Sequence, residues 1–170
     1  KQECIKIKNF IQQTKQLKIE WGISIYEHET LLKFLNESFI PNLVQYPFNV
    51  LYHSDEIGAE CRKNRIKHQV RSVFLQGLLV QNSIYKLPKR FQSNKVLREW
   101  YRWLSSNSID PVQACLKERV IVNKEKVIGF DAIAQLVKLA AFENSDILTI
   151  PQYIKTDDKA LLDPRKWLYE

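Results

Sequence analysis

Hydrophobic and polar residues follow two alternating patterns along the first half of the chain. Short apolar runs that end at polar or small residues are typical of buried strands, and longer stretches with apolar residues three and four positions apart are typical of helices. The short runs predict strands that end near Tyr26 and that span Leu43–Pro47 and Gln69–Phe74. The longer stretches predict helices at Cys4–Leu17, Thr30–Phe39 and Asp55–Asn64, the last with Ser54 as its N-cap.

The second half of the chain contains fewer strand signals. Asp110 and Pro111 predict the start of a helix, because Asp is a favoured N-cap and Pro suits the first helical position. The other predicted elements are a loop at Pro88–Phe91, helices at Lys95–Ser105 and from Pro111 to Arg119, a fourth strand near Val127–Gly129, a helix at Ala132–Phe142 capped by Asp131, and an extended tail with a short helix at Leu148–Glu170.

The first three predicted strands recur at intervals of roughly 20 to 26 residues, which is the pace of βα units. Alternating strands and helices predict an α/β fold with a parallel sheet and a ligand site at the C-terminal ends of the strands. The stretch His68–Leu79 best fits this position, because a buried strand that contains Ser72 leads into a loop closed by Gly77. Small residues of this kind allow close contact between backbone and ligand.

Composition limits the class of protein. A chain of 170 residues with 45% hydrophobic content fits one globular domain. No apolar run approaches the ~20 residues of a membrane span, and the N-terminus lacks the apolar segment of a signal peptide. The three cysteines are far apart, no Cys-x-x-Cys occurs, and the three histidines are isolated. This pattern predicts reduced thiols in a cytoplasmic protein and no zinc site.

The chain is basic, with 26 Lys and Arg against 19 Asp and Glu and a net charge of +7. A basic surface attracts nucleic acids, anionic membranes or phosphate-bearing ligands. The densest group of cations falls where a helix is predicted to end, a position that favours positive charge. It is therefore predicted to be a solvated helix end, and nucleic-acid binding rests on charge alone. The group consists of Arg62, Lys63, Arg65 and Lys67, with Arg71 just beyond.

Four segments at the predicted strand ends carry a more specific pattern. They read GISIY at Gly22–Tyr26, VQYPFNVL at Val44–Leu51, RSVFLQGLL at Arg71–Leu79 and VIGFDAIAQL at Val127–Leu136. In order and spacing they resemble the C-terminal half of an aldo–keto reductase, in the branch often labelled oxidoreductases of surface-polysaccharide or flagellin biosynthesis. The tail through Asp157, Asp163 and Trp167 is also similar to that branch, so the resemblance covers nearly the whole chain.

The resemblance implies a partial (β/α)8 barrel, consisting of the last four βα units and a C-terminal tail. A complete barrel needs about 250 residues, so the remaining part is expected before Lys1. The sequence contains no Met, which agrees with a fragment or a processed chain. In the family, a Tyr, Lys, Asp and His set transfers the proton while a nicotinamide cofactor transfers hydride to a carbonyl. That set belongs to the first half of the barrel, and no residue here matches it.

The resemblance assigns this chain to cofactor binding. It places Ser24 and Gln45 on the nicotinamide carboxamide, which needs both a donor and an acceptor. Arg71 stands where many members have an aromatic residue that stacks on nicotinamide, and a guanidinium can also stack on a flat ring. The loop of Ser72, Phe74, Leu75 and Gly77 matches the segment around the pyrophosphate and ribose, and Gly129, Phe130, Asp131 and Gln135 match the turn at the adenosine.

Some of these positions have structural alternatives. Ser24 and Gly77 also suit turns, and Gln45 also suits the capping of backbone groups at a strand end. Gln135 stands where NADP-preferring members have an Arg, so the choice between NADP, which the family favours, and NAD stays open.

Two main hypotheses follow. The leading one is the cofactor-binding half of an NAD(P)H-dependent carbonyl reductase, acting on a small carbonyl substrate once the other half completes it. The alternative is a non-catalytic binding or scaffold protein derived from a half-barrel. A half-barrel exposes strand edges and apolar surface, so we also expect self-association.

Overall fold

The computed structural model describes residues 2–53, 55–130 and 132–167. It shows a mixed α/β protein with a small three-stranded parallel sheet of order β1-β2-β3. The chain divides into two compact units. The first contains residues 1–46 and 55–69, and the second contains residues 47–54 and 70–170.

The first unit alternates helices with strands, as the sequence pattern predicts. Val44 and Tyr46 alternate with half-buried neighbours along β2, so both faces of this central strand are covered. Gly22 allows β1 to approach β2, because a Cβ there would lie 2.6 Å from the Leu43 carbonyl oxygen. The elements are α1 (Gln2–Gln16), β1 (Gly22–Ser24), α2 (His28–Asn36), β2 (Leu43–Pro47), α3 (Glu56–Lys63) and β3 (Lys67–Arg71), with the last residues of β2 and β3 counted in the second unit.

The second unit is mainly helical, and α5 lies at its core. Trp100 is fully buried, and its indole Nε1 donates to the Leu79 carbonyl at 3.1 Å, while the Tyr101 hydroxyl donates to the Leu78 carbonyl at 2.6 Å. The helices are α4 (Lys89–Gln92), α5 (Lys95–Ser106), α6 (Pro111–Lys117), α7 (Ile133–Ala141) and α8 (Lys159–Leu162). Short 3-10 turns occur at Leu75–Gly77, Ile84–Lys86, Gln152–Ile154 and Pro164–Lys166.

Several predicted elements are confirmed. Strand β2 has the predicted bounds. Asp110 caps α6, because its Oδ1 accepts from the backbone N–H groups of Val112 and Gln113. The predicted caps Ser54 and Asp131 lie outside the described residues. None of the described helices is long and apolar enough to cross a membrane.

Three predictions about elements were wrong. The strand predicted at Gln69–Phe74 lies at Lys67–Arg71, because Ser72 adopts a positive φ of 60° that ends the extended conformation. The strand predicted at Val127–Gly129 is reduced to one parallel bridge between Lys126 and Val70. The loop predicted at Pro88–Phe91 contains the short helix α4, which begins directly after the proline.

Candidate functional site

A cavity of about 800 Å3 lies in the second unit. Its walls come from three parts of the chain: the loop that follows β3, the segment 127–130 with the following α7, and Val112 of α6. Ligand pockets in proteins commonly have volumes of about 300 to 1,000 Å3, so the cavity is large enough for a sizeable organic ligand.

The loop after β3 turns sharply on residues with left-handed backbone angles. Ser72 has φ 60°, Leu75 has φ 45°, Gln76 has φ 51° and Gly77 has φ 85°. Only glycine adopts this region without a steric cost. The 3-10 turn at Leu75–Gly77 is closed by hydrogen bonds from the Leu75 N–H to the Ser72 carbonyl and from the Gly77 N–H to the Phe74 carbonyl, both at 3.0 Å.

Three backbone donors of the same loop have no partner in the part of the chain that the structure describes. The N–H groups of Ser72, Val73 and Phe74 have no hydrogen-bond acceptor among the described residues. All three residues line the cavity. Successive N–H groups in turns that mix right- and left-handed residues form concave sites for anions. The loop therefore has the chemistry of a phosphate or carboxylate site.

The charged side chains of the cavity wall have the same preference. Arg71 and Lys138 line the cavity, and none of its described lining residues is acidic. The Arg71 Nη1 donates to the Ser72 hydroxyl at 3.1 Å, next to the unpaired amides. The Lys138 Nζ lies 3.0 Å from Oδ2 of Asp110, the residue that caps α6. The charged residues among the described lining are therefore both cations, and one of them is already paired with a carboxylate.

Seven of the residues assigned to cofactor binding line this one cavity. They come from two loops that are far apart in sequence: Arg71, Ser72, Phe74 and Gly77 from the first, and Gly129, Phe130 and Gln135 from the second. Phe130 is half exposed and offers an aromatic face to a planar ligand.

Three of the other four assigned residues lie outside this cavity wall, and the fourth is not among the described residues. Leu75 is fully buried and forms no part of the cavity wall. Ser24 and Gln45 lie in the first unit, where they are partners in the register of β1 and β2. The Gln45 side-chain Nε2 donates to Oε1 of the Gln69 side chain at 3.1 Å. Asp131 lies outside the described residues.

Sequence reasoning missed Lys138. This residue follows Gln135 by three positions, and residues at that spacing share one face of a helix. Once Gln135 was assigned to the site, the helical spacing alone would have placed Lys138 beside it.

A second polar cluster, also missed, joins the segment after β2 to the tail. The Lys155 Nζ donates to the Val50 carbonyl at 2.8 Å and lies 2.9 Å from Nε2 of His53 and 3.8 Å from Oε1 of Glu118. Glu118 is buried, and its Oε2 accepts from the backbone N–H groups of Val120 and Ile121. A smaller cavity of about 370 Å3 opens beside His53 and Lys155.

Burial controls protonation in this cluster. It lowers the pKa of His53 to about 4, with further contributions from the positive charges of Lys155 and Lys124. It also lowers the pKa of Lys155, although Glu118 acts in the opposite direction. At neutral pH the imidazole is therefore uncharged, and its contact of 3.6 Å with Glu118 is not an ion pair. Among the described residues, no group of His, Cys, Asp and Glu could hold a metal ion.

No model of a protein family matches the chain, and no curated protein gives a significant match.

Proposed function

We propose that this chain is the cofactor-binding half of an aldo–keto reductase-like oxidoreductase and that its cavity binds NADP or NAD. In this proposal the three-stranded sheet and the segment bridged at Lys126 are the last four strand positions of a partial (β/α)8 barrel. The bound cofactor supplies hydride to a small carbonyl substrate. The chain's own residues bind and orient the cofactor. Cys61 and Cys115 are buried free thiols, which fits a protein of the reducing cytoplasm.

One observation supports the proposal above the others. Two loops that the resemblance assigns independently to the pyrophosphate and to the adenosine line the same cavity. A dinucleotide needs this proximity, because its pyrophosphate and adenosine are covalently linked. The two loops meet because the segments that precede them are joined: Lys126 forms a parallel bridge to Val70, and the Val127 N–H donates to the Val70 carbonyl at 2.8 Å.

The lining chemistry fits the proposed ligand. The unpaired N–H groups of Ser72, Val73 and Phe74 can donate to phosphate oxygens, and the charges of Arg71 and Lys138 can offset the phosphate charge. Phe130 can stack on a base. Since no residue matches the family's proton-donating set, we expect the chain by itself to bind cofactor without turning over substrate.

The test is calorimetric titration of the purified chain with NADPH and with NADH. A Gly129→Leu variant should block binding, because Gly129 lines the cavity and a Cβ there would meet nothing within 4 Å, so the fold should tolerate the larger side chain. A Lys138→Gln variant should bind about tenfold more weakly, the usual effect of losing one charge-assisted hydrogen bond. Lys89→Gln, at an exposed lysine outside the cavity wall, is the matched control.

The proposal predicts saturable binding of at least one dinucleotide by wild type and by the control. It would be refuted by a folded wild-type chain that binds neither dinucleotide. It would equally be refuted by binding that Gly129→Leu leaves unchanged, since the ligand would then occupy another site. Circular dichroism of each variant establishes that the chain is folded.

A further inference from the structure

A small cavity in the second unit contains a lysine that the proposed cofactor site does not use. The cavity has a volume of about 370 Å3 and shares no described lining residue with the larger one. Tyr52, Gln152 and Thr156 line it with side chains that can form hydrogen bonds, and the mostly buried His53 and Lys155 lie beside them. Ligand pockets commonly have volumes of about 300 to 1,000 Å3, so this cavity fits a small polar molecule.

The Lys155 amino group has two direct hydrogen-bond acceptors among the described residues. Its Nζ donates to the Val50 carbonyl at 2.8 Å and lies 2.9 Å from Nε2 of His53. Oε1 of Glu118 is 3.8 Å away, which is longer than a direct hydrogen bond. An ammonium group has three N–H donors, whereas the neutral amine has two and a lone pair. The two direct acceptors therefore match the donors of the neutral amine and leave its lone pair free to react.

The surrounding charges act on this amino group in opposite directions. Burial lowers the pKa of Lys155, and the buried Glu118 carboxylate acts against this shift. His53 is uncharged at neutral pH, and Lys124 adds positive charge near it. Asp157 also lines the cavity but is exposed to solvent. Desolvation favours the uncharged amine, which is the nucleophilic form of a lysine.

We propose that the cavity binds a small polar aldehyde or ketone and that the Lys155 Nζ forms an imine with its carbonyl carbon. The Val50 carbonyl and the His53 ring hold the two N–H groups while the lone pair forms the C–N bond. The carbonyl oxygen takes up the two amine protons and leaves as water. No oxidant or reductant is needed, and water reverses the reaction. Lys155 is thus a site of covalent carbonyl capture, separate from the dinucleotide cavity.

The first test measures the labelling rate of each lysine in the folded chain at pH 7. The probe is glyceraldehyde with sodium cyanoborohydride, which reduces an imine to a stable amine, and peptide mass spectrometry identifies the labelled positions. Lys89, which is exposed and outside the cavity wall, is the internal control. We expect Lys155 to be labelled at least about tenfold faster than Lys89, because burial favours its free amine and the cavity positions the carbonyl. The rate at Lys155 should also saturate with glyceraldehyde concentration, whereas the rate at Lys89 should rise linearly.

Two outcomes of this measurement would overturn the inference. Labelling of Lys155 that is no faster than that of Lys89 would mean that the amino group is a structural ammonium. A rate at Lys155 that does not saturate would mean that the cavity does not bind the carbonyl compound. In concentrated urea the two rates should become equal, which attributes the difference to the fold. The measurement uses no dinucleotide, so its result does not depend on the larger cavity.

A pair of neighbouring variants tests the cavity itself. Gln152→Trp places a bulky side chain in the cavity wall and should slow labelling of Lys155 at least about tenfold, while leaving Lys89 unchanged. Tyr153→Trp is the matched control, because Tyr153 is exposed and does not line the cavity. Circular dichroism establishes that both variants are folded. Fast labelling of Lys155 in a folded Gln152→Trp chain would also overturn the inference.

Discussion

The buried cluster of His53, Lys155 and Glu118 predicts a specific loss of stability in acid. The His53 ring stacks on Phe48 with its centroid 5.1 Å away, and both ring nitrogens lie within 3.2 Å of the Lys155 Nζ. One ring nitrogen must be unprotonated to accept from this ammonium group. The folded chain therefore needs a neutral imidazole. Protonation would place a second cation beside Lys155 and near Lys124.

The size of the effect follows from the pKa. Burial, Lys155 and Lys124 lower the pKa of His53 to about 4 in the folded chain, whereas an unfolded histidine has a pKa of about 6.5. The unfolded state therefore binds a proton that the folded state rejects at any pH between these values. The stability is fully present above the unfolded pKa and is lost as the pH falls through this window. A pKa difference of one unit corresponds to about 1.4 kcal/mol, so the loss from pH 7 to pH 4.5 should be about 2 kcal/mol.

The assay is urea denaturation of wild type and of His53→Gln at pH 7 and pH 4.5. Gln keeps an oxygen that can accept from Lys155 but cannot be protonated in this range. Wild type should lose about 2 kcal/mol more than His53→Gln between the two pH values. Lys89→Gln, which changes an exposed lysine outside this cluster, is the control and should show the wild-type loss. Equal losses in wild type and His53→Gln would refute the reasoning.

Two further predictions concern packing and thiol reactivity. Gly22→Ala should destabilise the fold, because the added Cβ would lie 2.6 Å from the Leu43 carbonyl oxygen. Gly129→Ala should change the stability by less than about 1 kcal/mol, because a Cβ at that position meets open space. Thermal melts of the two variants measure both effects. Burial raises the pKa of Cys61 to about 11 and raises that of Cys115 further, so neither thiol should react with Ellman's reagent at pH 8 until the chain is unfolded by denaturant. Rapid labelling of either thiol in the folded chain would contradict this.

The local elements were predictable where one residue or one pattern decides the structure. Strand β2 alternates buried and half-buried positions and follows Pro41, so its bounds could be read from the sequence. Asp110 and Pro111 likewise determine the start of α6 through a cap and a fixed backbone angle. The predicted bounds of β3 were wrong because the residue type of Ser72 does not indicate a positive φ.

The arrangement of the candidate sites was predictable only in part. The segments that the resemblance assigns to cofactor binding include both loops of the cavity, and each loop is continuous in sequence. The cluster of His53, Glu118 and Lys155 combines residues from three distant segments, and each residue alone has an ordinary sequence context. The burial of Glu118 could not be predicted from the sequence, because a glutamate at a helix end is usually solvated. Only the folded backbone brings its two amide donors to the carboxylate.

The backbone strain of the described chain separates structural turns from the candidate site. Four of its seven non-glycine residues with positive φ lie two positions after a helix, and each is spanned by the hydrogen bond that closes a helix C-terminus. These four are Lys18, Ser38, Arg65 and Ser108.

The other three, Ser72, Leu75 and Gln76, lie together in the loop after β3. Each left-handed residue costs roughly 1 kcal/mol, and here no helix end requires the conformation. In the same loop the N–H groups of Ser72, Val73 and Phe74, at a cavity wall, have no acceptor within residues 2–53, 55–130 and 132–167. The left-handed backbone angles and the amides without acceptors both raise the free energy of this loop. An anion that binds to these amides would lower it again. This is the physical reason to seek the ligand at this cavity before the smaller one at His53.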